Sequence, residues 1–208
     1  MLYTTYYAES NSITKEHYQE MKKTLFINDP KKQMEVFQLR KLEFVGSAPV
    51  QPMARYYLCV KNGDESQIFL EKKYIQNGLY YKKCAKLTRE ECQKIMDGNL
   101  EWMKNHKKEL VADFYRQATL NTLYPGRITD YQREMCKCRK GEYLTFTTSI
   151  ERGVGQCKDL FAEPEMKISC LDEEKVLMTY KKKANLPQIV SSMLQNQDDA
   201  PEEYEFVF

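Results

Sequence analysis

Apolar and polar positions along the chain alternate in some stretches and recur every third or fourth residue in others, giving strands, then helices, then strands again. Residues 1–8 read as a strand, and Ser12–Leu25 as an amphipathic helix with Ile13, Tyr18, Met21 and Leu25 near one face. Val36–Phe44 fits a strand or a helix equally well, and Gly46-Ser-Ala-Pro49 ends it. Met53–Lys61, Ser66–Tyr74 and Leu79–Lys86 then read as an antiparallel meander, turning at Asn62-Gly-Asp64 and Gln76-Asn-Gly78.

Thr88-Arg-Glu-Glu91 is a capping box, which predicts a helix that stops at Asp97-Gly98. A longer helix is predicted over 107–123, with Leu110, Val111, Phe114, Tyr115 and Ala118 on its inner side, ended by Tyr124-Pro-Gly126. Strands follow at Arg127–Lys137 and Glu142–Ile150, joined across Arg139-Lys-Gly141, and at Glu165–Cys170 and Lys175–Lys183, joined across Leu171-Asp-Glu-Glu174. Leu186–Leu194 reads as a short helix, and from Asn196 onward an acidic tail carries Asp198, Asp199, Glu202, Glu203 and Glu205. The expected class is α+β with an antiparallel sheet: one domain over 1–195 and a tail over 196–208.

Alternation splits each strand into two faces. Gln67, Phe69, Glu71 and Lys73 share one, opposite Ile68, Leu70 and Tyr74. Tyr80, Lys82 and Cys84 share another, as do Arg55 with Tyr57. Arg127, Thr129, Tyr131 and Arg133 form a polar, basic face, and Thr179 pairs with Lys181 opposite Met178 and Tyr180. These are either solvated faces or the lining of a basic cavity suited to a polyanion such as a phosphate chain, and periodicity leaves both open.

Charge and composition narrow the classes. Lys and Arg number 32 against 30 acids, a net +2, which lacks the basic excess expected of a nucleic-acid or anionic-lipid binder. The seven cysteines at 59, 84, 92, 136, 138, 157 and 170 have no framework spacing and read as free thiols of a reducing cytoplasm. Cys136-Lys-Cys138 is too tight for a zinc knuckle, and His17 and His106 are the only histidines, which argues against a zinc site or a histidine triad. No apolar run is long enough to span a bilayer, and the first residues lack the pattern of a signal peptide.

Phe69-Leu-Glu-Lys-Lys73, Asn77-Gly-Leu-Tyr-Tyr-Lys82, Leu87 to Trp102, Thr129-Asp-Tyr-Gln-Arg133 and Leu186-Pro-Gln-Ile-Val190 occur in an order that resembles bacterial VTC domains. These are the polyphosphate polymerase domains of the CYTH-like, triphosphate tunnel superfamily. The resemblance is strongest over 55–141 and looser to about Leu194. It implies an antiparallel β-tunnel, a curved sheet of about eight strands with helices packed outside. Such domains pass the terminal phosphate of ATP to a growing polyphosphate chain with manganese or magnesium.

Carried over by motif, the phosphate-binding residues are Arg55, Lys73, Lys82, Tyr131, Arg133 and Lys181, with Glu71 as the acid left for a metal. Departures fall at Met53, where an arginine is expected, and at Thr147 and Thr179, where acids are expected; the arginine near the end of the 142–150 strand shifts to Arg152. The family's opening and closing strands are missing, which predicts an open version of the tunnel whose sheet a second copy or a partner could complete. Losing acids more than cations favours a domain that binds polyphosphate or nucleoside triphosphate with weak or no polymerase activity. An active metal-dependent polymerase and a noncatalytic structural module are the alternatives. The tail is either solvated or an internal mimic of phosphate in the basic cavity.

Overall fold

The computed structural model describes residues 8–28, 34–46, 54–76, 79–137, 143–181 and 192. The chain divides into two compact units, one built mainly from 38–130 and 151–168, the other from 7–37, 131–150 and 169 onward. The predicted strand at 1–8, the turns at 77–78 and 139–141, the helix at 186–194 and the acidic tail lie outside the described residues, apart from Ala8 and Ser192.

In the first unit, β2 (Met34–Val45), β3 (Ala54–Lys61), β4 (Ile68–Gln76) and β5 (Leu79–Leu87) are neighbours in that order, antiparallel from β2 to β5. The predicted meander is thus present, and the ambiguous Val36–Phe44 stretch is a strand. Its alternation settles the matter: Leu42 and Phe44 enter the core while Lys41 and Glu43 turn to the other face. The start of β6 (Tyr124–Lys137) lies beside β2.

Tyr124-Pro-Gly126 was expected to be a terminator, and the structure corrects this, because the tripeptide opens β6. A Cβ at Gly126 would meet the Glu43 carbonyl oxygen at 2.9 Å and the Val45 side chain, so glycine permits the close approach of the two strands. Helix α3 (Glu109–Asn121) ends instead at Thr122, whose φ of 49° breaks the helix and whose N–H donates to the Ala118 carbonyl.

The core of this unit lies between the sheet and α3. Leu110, Val111, Phe114 and Ala118 bury against Phe44, Tyr56, Leu58, Leu70 and Ala85. Phe114 meets the rings of Phe44 and Tyr56 edge-on, at 4.7 and 5.4 Å between centroids. Helix α2 (Arg89–Met96) forms as its capping box predicts: Glu91 N–H donates to Thr88 Oγ1 and Thr88 N–H to Glu91 Oε2.

In the second unit the strand order is β1 (Ala8–Thr14), β9 (Lys175–Lys181), β7 (Tyr143–Gly153) and β6, and β9 runs antiparallel to both β1 and β7. The helix expected from Ser12 begins later: α1 spans Lys15–Asn28, because Asn11 and Ile13 alternate inward with Ser10, Ser12 and Thr14 outward and extend β1. Met21 and Leu25 of α1 close over Leu144, Phe146, Val176 and Met178. β8 is reduced to Lys167–Ser169 and pairs with β7 rather than with β9.

Candidate functional site

The face of β2–β5 turned away from α3 carries the chemistry of the first unit. Register builds it in rows. Glu43, Tyr57, Glu71 and Cys84 stand side by side across the four strands, and Arg55, Lys73 and Lys82 form the adjoining row on β3–β5. Lys41, Cys59, Phe69 and Lys86 form the row on the other side. On this face Lys41, Glu71 and Lys73 are buried, at 4%, 5% and 4% exposure.

Glu71 is the centre of this cluster. Its Oε1 lies 2.5 Å from the Lys82 ammonium and its Oε2 3.2 Å from that of Lys41. The Cys84 thiol donates to Oε1 at 3.6 Å. The ammonium groups of Lys41 and Lys73 each stand 5.6 Å from the centroid of the Tyr57 ring. Burial alone would push the Glu71 carboxyl up, but Lys41, Lys82 and Lys73 outweigh it and hold the group well below the usual carboxylate range.

The lysines divide. Burial, and then repulsion from Lys41, draws Lys73 well below an ordinary lysine, with Glu71 opposing. Burial lowers Lys82 too, but its contact with Glu71 prevails and raises it. The thiols of Cys59 and Cys84 are pushed up by burial first and by Glu71 second, Cys84 to about 11.

Arg55 lies at the end of its row, half-exposed, with Nη1 3.2 Å from Glu43 Oε1. The structure therefore brings Arg55, Glu71, Lys73 and Lys82 together on one face, as alternation grouped them. It adds Lys41, which sequence reading missed. The signal was present, since Lys41 alternates with Leu42 and Phe44, but it is legible only once Val36–Phe44 is known to be a strand.

The second unit holds Tyr131 and Arg133, both buried. Arg133 Nε donates to Thr147 Oγ1 at 3.2 Å, and its guanidinium carbon lies 5.0 Å from the Tyr131 ring centroid. Thr145 stands opposite Thr179 across β7 and β9, and Thr179 opposite Ser10, with 3.1 Å between the two hydroxyl oxygens. This is a face of hydroxyl groups beside one arginine. Lys181 closes β9, and its side chain lies outside the described residues.

A divalent metal prefers one or two carboxylates with open lone pairs. Both Glu71 oxygens already face an ammonium group, and Thr147 and Thr179 supply no charge. Among the described residues, no three His, Cys, Asp or Glu side chains cluster in a way that could hold a metal ion. The described residues do not fit a resident metal.

Other clusters have structural work. Arg40 binds Asp130 through two nitrogens at 2.7 and 2.9 Å and also reaches Glu163 and the Ala162 carbonyl, tying 160–163 to β2 and β6. In the second unit, Tyr18 and Lys22 of α1 both donate to Glu134 at 2.7 Å. Six cysteines, at 59, 84, 92, 136, 157 and 170, are free thiols. No helix among the described residues is long and apolar enough to cross a membrane.

Comparison with known proteins gives a family and a fold. Residues 51–200 match the VTC domain family model. A search of curated protein sequences gives no match. Among solved structures, a candidate adenylate cyclase from Bacillus halodurans superposes with a TM-score of 0.60 at 9% identity, covering 99% of this chain and 98% of that one. A candidate adenylyl cyclase from Hippeastrum, described as having dominant triphosphatase activity, gives 0.55 at 9% identity over 90% and 83%. A chain of the Schizosaccharomyces pombe Mediator head module gives 0.50 at 8% identity over 93% and 89%. At such identities the likeness is one of fold.

Proposed function

The chain belongs to the VTC domain family, and from that footing we propose that it binds a linear phosphate polyanion, polyphosphate or a nucleoside triphosphate, with weak or no polymerase activity. The observation that carries this reading is the β2–β5 face, where three buried or partly buried lysines surround a single carboxylate. Lysines crowded together on a largely buried surface repel one another, and an anion with several charged oxygens offsets that repulsion. Lys41, Lys73 and Lys82 are the proposed oxygen ligands of the first unit, with Arg55 at the end of the row. Tyr131, Arg133 and Lys181, all of the second unit, are separate phosphate-binding candidates carried over by resemblance.

Phosphoryl transfer needs developing charge neutralised at the reacting oxygens. Here the lysines can do this for bound oxygens, but among the described residues the acid at their centre, Glu71, is committed to them, which supports binding over turnover. The family membership favours the runner-up, a metal-dependent polymerase. The Mediator relative marks a third reading, a structural module.

Isothermal titration with tripolyphosphate at two salt concentrations, with and without manganese, separates the three. The proposal expects binding that weakens with salt, fails in Lys73→Ala and Lys82→Ala, and gains little from manganese. Strong manganese dependence with ATP turnover selects the polymerase. No binding in any arm leaves the structural module.

A further inference from the structure

Glu71 lies amid the cations, and each of its oxygens engages a different one, Lys82 at 2.5 Å and Lys41 at 3.2 Å. A group that only balanced charge could sit anywhere nearby. This one bridges two lysines with two oxygens and one negative charge, the kind of contact a phosphate group also makes. The other acid of the face, Glu43, is directed to Arg55.

We infer that Glu71 is a built-in competitor for the lysine site, displaced when a phosphate chain binds, so that it sets the site's selectivity for long polyanions over single phosphates. The inference rests on the phosphate-binding reading above. A lone phosphate that replaces the carboxylate exchanges one set of ion pairs for a similar set and gains little. A chain of phosphates engages Lys41, Lys82, Lys73 and Arg55 together, and one carboxylate cannot match it. The groups facing Glu71 are those of its own strand, Lys73 and Phe69; of β2, Lys41 and Glu43; of β3, Arg55, Tyr57 and Cys59; and of β5, Lys82, Cys84 and Lys86.

The test compares orthophosphate and tripolyphosphate affinities of the full chain and of Glu71→Gln by titration calorimetry. The expected result is tighter binding of both, with orthophosphate gaining more, so that the ratio of the two dissociation constants falls about tenfold or more. Glu71→Asp, which restores the charge, is expected to keep the wild-type ratio. If Glu71→Gln does not fold, Glu71→Thr, which also removes the charge and leaves every cation in place, is expected to show the same fall in ratio. A wild-type chain that binds tripolyphosphate beside a folded variant with an unchanged ratio, or with weaker binding of both anions, overturns the inference while leaving the binding reading intact. Absence of binding by every variant overturns both.

Discussion

The hydroxyl of Tyr56 donates to Asp113 Oδ2 at 2.6 Å, from a side chain that is 1% exposed. Lys72 Nζ reaches the same oxygen at 2.8 Å while lying over the Tyr56 ring, so one carboxylate of α3 anchors both β3 and β4. Burial would raise the Asp113 carboxyl, yet Lys72 and Tyr56 together hold it below its ordinary value. A depressed carboxylate contributes stability above its unfolded value, and that contribution is lost as pH falls through the folded one. Wild type should therefore lose stability below about pH 4, and Asp113→Asn should show a shallower loss there. Tyr56→Phe should cost about 1–2 kcal/mol at neutral pH, read from urea unfolding.

Lys73 is also held below its unfolded value, but for a cation this marks a cost of folding rather than a gain. Its folded value lies below that of the unfolded chain, so the unfolded state binds more protons and stability rises with pH toward the ordinary lysine range near about 10.4. Lys73→Met should flatten that rise and stabilise the chain at pH 7 by about 1–3 kcal/mol. The same change should remove tripolyphosphate binding. A variant less stable than wild type at neutral pH would contradict the account of this buried ammonium.

Ser149 interrupts β7 with a φ of 52°, a conformation that costs a non-glycine residue about 1 kcal/mol. Its side chain is exposed, so nothing is lost from the core by removing it. Ser149→Gly should raise the denaturant midpoint, and Ser149→Val should lower it. Equal midpoints for the two would show that the backbone turns freely here.

Cys84 is shielded chemically as well as sterically. With its thiol pushed up to about 11 by burial and by Glu71, iodoacetamide should modify it far more slowly at pH 8 than an exposed cysteine. Glu71→Gln should quicken the reaction by removing the adjacent negative charge. Mass spectrometry of the labelled peptide gives both rates.

Period-two and helical patterns carried most of the architecture. The β3–β5 meander, α2 with its capping box, and the pairing of Glu71 with Lys73 on one face follow from local alternation and turn chemistry alone. Gly126 shows where local reading stops. Tyr-Pro-Gly is a turn by composition, and only the Glu43 carbonyl 2.9 Å from a would-be Cβ makes it a strand. Ser12 and Ile13 fail in the same way, since β9 pairs with residues that helical periodicity claims. Lys41 was hidden by the ambiguity of its own strand. No pattern within one segment could reveal that Glu71 faces Lys41 from two strands away, because that contact depends on the register of β2 on β3 and of β3 on β4.

Among the described residues, no strand pairs with the outer edge of β5. Exposed edges of this kind recruit further strands and seed fibrils. Over the nine residues of β5 the chain places Lys82, Lys83 and Lys86, with Lys86 exposed. Two copies meeting along this edge would set lysines opposite one another at Cβ separations of about 4.5–5.5 Å, and their repulsion is weakened by salt. The cations of β5 thus oppose the stacking of copies of the chain into a continuous sheet, and that opposition is weakest in concentrated salt.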